Sequence, residues 1–480
     1  MSKRLDLGWV CFWVALVVRL LVVLWAAERF PPQADGAYYQ IVASRIASGL
    51  GYTWLWPDGA VTYAAHYPVG YPAVIGALYA VTGARPWVAM LFNALVGAVG
   101  ALAGQRLLAQ SGQPRGAWLG GLALALHPSL VFYTPALMTE GVVGSGLVIL
   151  AWIASRRPSE STRARGVRFA AGSLTLGLLC FFRPQVILLA PLVAWLSCRA
   201  QPQPLAAPSS MSVRVKRHLR SVVATAGTIL LALAITAPWT ARNCDRMDRC
   251  VWISANGGWN LLIGAAPHAT GAWVSIDHVG FPEECREVWG EVAKDRCLGA
   301  AGRRMILRAP WRWLSLVPSK LGHTFDLGDA PGWYLHTSNT QAFGNGARGA
   351  LFVVELLALR AGLLGLLIGL GWRHPVAGRV RTWRRALVLL CAPLLFVKWL
   401  WPAYVAACVL LAAGKRTPVS VLAFWALAGT LVTHAVFFGA SRYALVALPS
   451  LVLAAIGVLT LRWSARDTGA EEILDAPYRD

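Results

Sequence analysis

Long apolar runs punctuate the chain, and they carry neither a strict alternation nor a polar stripe. The strongest occupy residues 8–27, 86–108, 221–238, 347–371 and 443–461. Shorter or broken runs lie at 117–133, 140–154, 169–182, 185–198, 386–397, 401–413 and 418–435. They are rich in Leu, Val and Ala and lack the period of two expected of a membrane strand, so they predict transmembrane helices rather than a barrel. Several fall short of the roughly 17–25 residues of a straight span, so their ends are expected to extend into flanking Trp, Arg and Pro. The pattern predicts about 12 spans. Residues 66–83 read HYPVGYPAVIGALYAVTG. Two prolines and a short apolar stretch predict a partly embedded or re-entrant helix there. The expected fold class is an all-α polytopic membrane protein with a helical first outer loop, 28–85, and a larger outer loop in the second half.

Composition agrees with this pattern. Of 480 residues, 57% are hydrophobic and 14% are charged, against about 25% charged in a soluble chain. Mean hydropathy is +0.54. Lipid accommodates that much apolar surface when the backbone is helical. The 23 Trp residues suit the membrane interface. Residues 8–27 are followed by no small-residue cleavage site, so they read as a span and not a cleaved signal.

The net charge of +22 would raise nucleic acid in a soluble chain. There is no zinc-finger spacing, P-loop or dinucleotide fingerprint, and no nucleic-acid partner is expected. The positive charge gathers instead in short segments. Residues 155–168 hold Arg156, Arg157, Arg163, Arg165 and Arg168 against Glu160. Residues 199–220 hold Arg199, Arg214, Lys216, Arg217 and Arg220, and 372–385 hold Arg373, Arg379, Arg381, Arg384 and Arg385, both without an acid. With Lys3, Arg4, Lys415 and Arg416, these segments are expected on the cytoplasmic side, as are both termini. The organisation follows: an N-terminal membrane module 1–240, an outer loop 241–346, a C-terminal membrane module 347–465 and a cytoplasmic tail 466–480. Residues 241–330 carry 10 acidic and 11 basic residues with Cys244, Cys250, Cys285 and Cys297. An outer compartment permits disulfides. Cys244–Cys250 with Cys285–Cys297 is the most local of three pairings; free thiols and a metal site remain open.

The outer ends of the runs collect the candidate chemistry. Asp35, in PPQADGAYYQ, precedes a helical segment at 36–48 and reads either as an N-cap or as a base that draws a proton from a hydroxyl. Glu140, at the head of an apolar run, is costly if it faces lipid. It reads as a cap, an interfacial charge, or a second carboxylate facing a polar cavity. Arg183 in CFFRPQV and Arg442 in GASRYALV either snorkel or bind phosphate. His66 and Tyr67 are hydrogen-bonding candidates for a phosphate or sugar; His127 and His434 are candidates for a cavity wall. Two carboxylates do not complete an octahedral site, so no cofactor is certain and a divalent metal stays possible.

These stretches resemble the GT-C membrane glycosyltransferases, in particular the bacterial protein O-mannosyltransferase and aminoarabinose transferase superfamily. The resemblance rests on ADGAYYQIVASRIASG, HYPVGYPAVIGALYAVTG, HPSLVFYTPALMTE, the RP of CFFRPQV and the RY of GASRYALVALP. It covers the first 200 residues well and the last 40 loosely. It puts Asp35 in the place of the family's catalytic acid and Glu140 in that of its second acidic residue. His66 or Tyr67 stands where aminoarabinose transferases have a Lys, and Gly36 follows Asp35 where protein mannosyltransferases have a Glu, so the likeness is to the superfamily. It implies transfer of a sugar from a polyprenyl-phosphate donor to an acceptor hydroxyl at the periplasmic face of a bacterial inner membrane, by inverting single displacement. The expected partners are that donor, membrane lipids and an acceptor, and a monomer is expected. A membrane transporter or flippase of lipid-linked sugars is the alternative, and it predicts internal repeats, of which the sequence shows no clear one.

Overall fold

The computed structural model describes residues 6–156, 161–198, 211–247, 249–373 and 379–466. Several sequence expectations lie outside them: Lys3, Arg4, Arg157, Glu160, Arg199 and all but the first residue of the 466–480 tail. In chain order the helices are α1 (Leu7–Ala26), α2 (Asp35–Ala47), α3 (Gly70–Thr82), α4 (Pro86–Gln110), α5 (Pro114–Leu126), α6 (Pro128–Phe132), α7 (Glu140–Ala154), α8 (Thr162–Cys180), α9 (Ala190–Cys198) and α10 (Met211–Arg246). The segment between α10 and residue 345 contributes α11 (Gly257–Ala265), α12 (Ile276–Val279), α13 (Glu291–Arg308), α14 (Pro310–Ser315), α15 (Val317–Phe325) and α16 (Ala330–Ser338). Then come α17 (Asn345–Ile368), α18 (Arg379–Cys391), α19 (Trp401–Ala412), α20 (Pro418–Val436) and α21 (Leu448–Arg466). A hairpin of β1 (Thr53–Leu55) and β2 (Val61–Tyr63), paired Thr53 to Tyr63, departs from the all-helical expectation.

The chain is an all-α polytopic membrane protein in architecture. Among the described residues, five helices are long and apolar enough to cross a membrane, and shorter apolar helices complete the bundle. The core is largely small residues: Ala15, Ala98, Ala101, Ala117, Ala125 and Ala151 are fully buried where α1, α4, α5 and α7 meet. Small side chains let helix backbones approach closely where lipid supplies no hydrophobic drive.

Prolines explain the interrupted elements. The apolar run 117–133 is two helices, because Pro128 has no N–H to offer the carbonyl of Leu124. Arg19, fully within α1, supplies the missing donors. Its guanidinium donates to the carbonyl of Leu124 at 3.0 Å and to that of Ala125 at 2.8 Å. The last span starts later than the sequence pattern, at Leu448, after a 3-10 turn at Ser441–Val446. Pro449 fits the first turn of a helix, where its missing N–H costs nothing.

The 66–83 stretch forms α3, 13 residues long, which spans only about 20 Å. It is pressed against α2, where a Cβ on Gly76 would come within 2.8 Å of Ile46. Tyr71 donates to Asn93 Oδ1 of α4 at 3.1 Å. The segment from α11 to α13 has a small core of its own around Leu262, Val279, Cys285 and Leu298. Disulfides join Cys244 to Cys250 and Cys285 to Cys297, the most local pairing.

The ends of the bundle differ in character. Contacts among Asp6, Arg106, Gln110, Ser155 and Arg168 gather the start of α1, the ends of α4 and α7 and the start of α8 at one end. Asp35, Glu140, Arg183 and Arg442 gather at the other.

Candidate active site

Asp35 and Glu140 are each the first residue of a helix, and the loops leading into those helices are stapled together. The phenol oxygen of Tyr334, buried in α16, accepts from the backbone N–H of Gln33 at 3.4 Å and of Leu137 at 3.3 Å. A Cβ on Gly36 would meet that same oxygen at 2.8 Å, so only glycine fits behind Asp35. The amide of Asn93 donates to the carbonyls of Thr134 and Ala136 at 3.1 and 2.9 Å, fixing the approach to Glu140. Ala34 takes φ 51°, unusual for a residue with a Cβ, and turns the chain abruptly into α2; such backbone persists where its surroundings over-determine it. Neither carboxylate caps its helix; both point elsewhere.

They point at two guanidiniums. Arg442 Nη1 lies 2.8 Å from Asp35 Oδ2, and its Nε lies 3.6 Å from Glu140 Oε1. Arg183 Nη2 forms an ion pair with Glu140 Oε1, while its Nε donates to Thr139 Oγ1 at 3.0 Å. Tyr67 donates to Asp35 Oδ1 at 2.8 Å, and Tyr133 donates to Glu140 Oε2 at 3.1 Å. Tyr443 lies under both cations, 5.3 Å from Arg183 and 5.1 Å from Arg442. The result is a two-by-two lattice of opposite charges with phenols at its edges. Glu140 is 1% exposed, Arg183 12%, Arg442 19% and Asp35 21%. The exposure gradient runs outward from Glu140 to Asp35.

Burial pushes the Asp35 carboxyl upward, but the charge of Arg442, the hydrogen bonds from Tyr67 and Arg442 and the charge of Arg183 outweigh it and hold it below its usual range. Asp35 is therefore ionised at neutral pH and serves better to align a hydroxyl than to remove its proton early in a reaction.

Asp35, Tyr67 and Arg442 open into a cavity of about 940 Å³. Another part of its wall is formed by His323 of α15 and by Lys398 and Trp399 before α19. Asp326 shapes that wall: its Oδ1 accepts from the N–H groups of Leu400 and Trp401, each at 2.8 Å, capping α19 from another element. Lys398 is exposed, and no carboxylate among the described residues lies within ion-pair distance of it. Burial, with the nearby Lys398 charge, pushes the His323 imidazole down.

The structure thus brings together five of the residues singled out from the sequence, Asp35, Tyr67, Glu140, Arg183 and Arg442. His66 sits one residue aside, packed on Tyr67 and Trp259 with ring centroids at 4.7 and 5.8 Å, and does not line the cavity. Burial pushes its pKa down, which keeps it neutral. His434 stacks on Tyr443 at 4.2 Å and thereby supports the cluster from behind. His127 lies at the α5–α6 break. Sequence reasoning missed Tyr133, Tyr334, His323 and Lys398. Lys398, in FVKWLWP, carried the same signal as Arg183: a lone cation between apolar and aromatic residues at the end of a run.

Among the described residues no group of three or more His, Cys, Asp or Glu side chains could hold a metal ion. Asp35 and Glu140 each face a guanidinium.

No family model and no curated protein matches the sequence. Among solved structures, the neighbours are GT-C glycosyltransferases. The archaeal oligosaccharyltransferase AglB from Archaeoglobus fulgidus, solved with an inhibitory peptide and a dolichol-phosphate, is 11% identical over 100% of this chain and 53% of its own, with a TM-score of 0.43. ArnT from Cupriavidus metallidurans bound to undecaprenyl phosphate is 18% identical over 98% of this chain and 81% of its own, with a TM-score of 0.39. The arabinosyltransferase EmbB from Mycobacterium smegmatis is 15% identical over 96% of this chain and 42% of its own, with a TM-score of 0.31. The chain spans about half the length of AglB.

Proposed function

We propose that the protein is a glycosyltransferase that moves a sugar from a polyprenyl-phosphate donor to an acceptor hydroxyl at the periplasmic face of a bacterial inner membrane. One observation carries the reading: a buried cluster of Asp35, Glu140, Arg183 and Arg442 opens, through Asp35 and Arg442, into a large cavity at the end of an apolar bundle. Such a donor needs a carboxylate near the reacting carbon, a cation near the phosphate and an apolar path for its lipid. Asp35 meets the first need, Arg442 and Lys398 the second, and the exposed rings of Trp399 and Trp333 line the third. The site lies at the bundle end opposite Arg106, Arg156, Arg163 and Arg168, which supports a periplasmic position under the positive-inside rule.

The reaction is an inverting single displacement. Asp35 aligns the acceptor hydroxyl, whose oxygen attacks the anomeric carbon from the face opposite the phosphate. The bond from that carbon to the phosphate oxygen breaks, and its electron pair leaves with polyprenyl phosphate. The hydroxyl proton passes to Asp35 as the new glycosidic bond forms. Charge grows on the departing phosphate, where Arg442 and Lys398 stabilise it. Arg183 neutralises Glu140, so that Arg442 stays positioned between the two carboxylates, while Tyr67 holds the other oxygen of Asp35.

The test is mass spectrometry of lipids from cells that express native protein or Asp35→Asn, in a background where the donor pathway runs. Loss of a positioned acid–base group lowers turnover by roughly 100-fold or more, so a polyprenyl-phosphate sugar accumulates with the variant alone. Near-normal turnover by a folded Asp35→Asn protein would remove Asp35 from the chemistry.

A further inference from the structure

A second groove, of about 890 Å³, lies at the bundle end away from Asp35, where the start of α1, the ends of α4 and α7 and the start of α8 meet. Its apolar surface comes from Trp9, Trp152 and Val167, and its rim carries Arg106, Arg156 and Arg163. Trp9 and Val167 are 50% and 61% exposed, which leaves an apolar strip open beside the cations. The position of the rim is fixed from below. Arg168 donates to the carbonyl of Arg156 at 3.1 Å and to that of Ser197 at 3.4 Å, tying the end of α7 to α8 and α9. The Arg156 guanidinium lies over the Trp152 ring at 4.7 Å. Arg106 pairs with Asp6, and both side chains are more than a third exposed, so this ion pair exchanges readily for another anion.

Charge counting makes the groove strongly positive. Arg106, Arg156, Arg163 and Arg168 line it, and among the described residues Asp6 is the carboxylate paired there, with Arg106. An open apolar strip bordered by guanidiniums, with indole rings at the boundary, has the chemistry of an anionic lipid: acyl chain along the strip, phosphate on the rim. Guanidiniums bind phosphate oxygens in pairs, and basic pockets between membrane helices on the cytoplasmic side hold anionic headgroups. We infer that this groove binds the headgroup of an anionic phospholipid, apart from the site around Asp35. Nothing in this inference depends on the glycosyltransferase reading.

The experiment is native mass spectrometry of the full-length protein purified in a neutral detergent and titrated with phosphatidylglycerol, phosphatidylcholine or inorganic phosphate. Native protein retains phosphatidylglycerol in preference to phosphatidylcholine. Arg156→Gln with Arg163→Gln weakens phosphatidylglycerol binding about 30-fold, at roughly fivefold per lost cation, while Arg156→Lys with Arg163→Lys retains most of it. Both arginines are exposed, so the double variant folds; should it not, Val167→Glu, which places a negative charge at an exposed site on the strip, abolishes binding in its stead. Equal retention of the two lipids, or undiminished phosphatidylglycerol binding in the variants, would overturn the inference. Inorganic phosphate displacing the lipid at equal concentration would also overturn it, by showing a site for free anions.

Discussion

Replacing Glu140 by Gln tests whether the charge lattice is a single unit. The native cluster is neutral, with Asp35 and Glu140 set against Arg183 and Arg442. Glu140→Gln keeps the shape and the contact with Tyr133 but leaves Arg183 facing an amide at a position that is 12% exposed. At an effective dielectric constant of about 20, the lost attraction from Arg442, 3.6 Å away, is about 4.6 kcal/mol before hydration is counted. Removing one partner of a buried ion pair costs roughly 3–5 kcal/mol. Arg183→Gln leaves Glu140 at 1% exposure without its cation and incurs a penalty of similar size. The double variant, with Gln at both positions, removes both stranded charges and keeps the Asp35–Arg442 pair. Melting curves followed by tryptophan fluorescence in detergent should show both single variants markedly destabilised and the double variant recovering more than half of either loss. A double variant whose loss equals the sum of the two single losses would refute the lattice, because uncoupled sites add. Activity should not return with stability, since Arg442 in the double variant has lost one of its two anchors.

Three other outcomes follow from the same structure. A Cβ at Gly439 would lie 1.9 Å from the carbonyl oxygen of Lys320, beside the cavity wall, so Gly439→Ala should destabilise by about 1–3 kcal/mol or more, read as a lowered melting temperature. Lys320 donates to the carbonyls of Ala435 and Val436 at the end of α20, at 3.4 and 3.1 Å. Burial, reinforced by the charge of Arg312, pushes its pKa down to about 8. The unfolded chain holds that proton up to about 10.5, so stability should rise with pH between those values; melting curves of Lys320→Met should lack this rise. Paired Cys285→Ser and Cys297→Ser substitutions open a 12-residue loop and should cost about 3 kcal/mol, measured by the melting and protease resistance of the segment from α11 to α13.

The apolar runs determined by themselves that this chain is a bundle of membrane helices, because burying so much apolar surface with all backbone groups paired admits few other solutions. They also located α1, α4 and α17 closely, since a long continuous run leaves little freedom in its ends, whereas α10, Met211–Arg246, extends well beyond both ends of its apolar run at 221–238. Element boundaries at prolines were less legible. The break at Pro128 depends on Arg19, one helix away, supplying donors to the freed carbonyls. The start of α21 depends on a 3-10 turn that hydropathy does not register. Asp35, Glu140, Arg183 and Arg442 were each visible as charges at the ends of apolar runs, where isolated ionisable groups are costly. Their mutual pairing was not visible, because they come from α2, α7, the turn after α8 and the turn before α21, separated by up to four hundred positions of chain. Nor did the sequence separate Tyr67, whose hydroxyl reaches Asp35, from its neighbour His66, which packs away from the cavity. Local sequence fixes which residues are costly to leave unpaired. Only the packing of distant helices decides which partners relieve that cost, and hence which charges meet at the cavity.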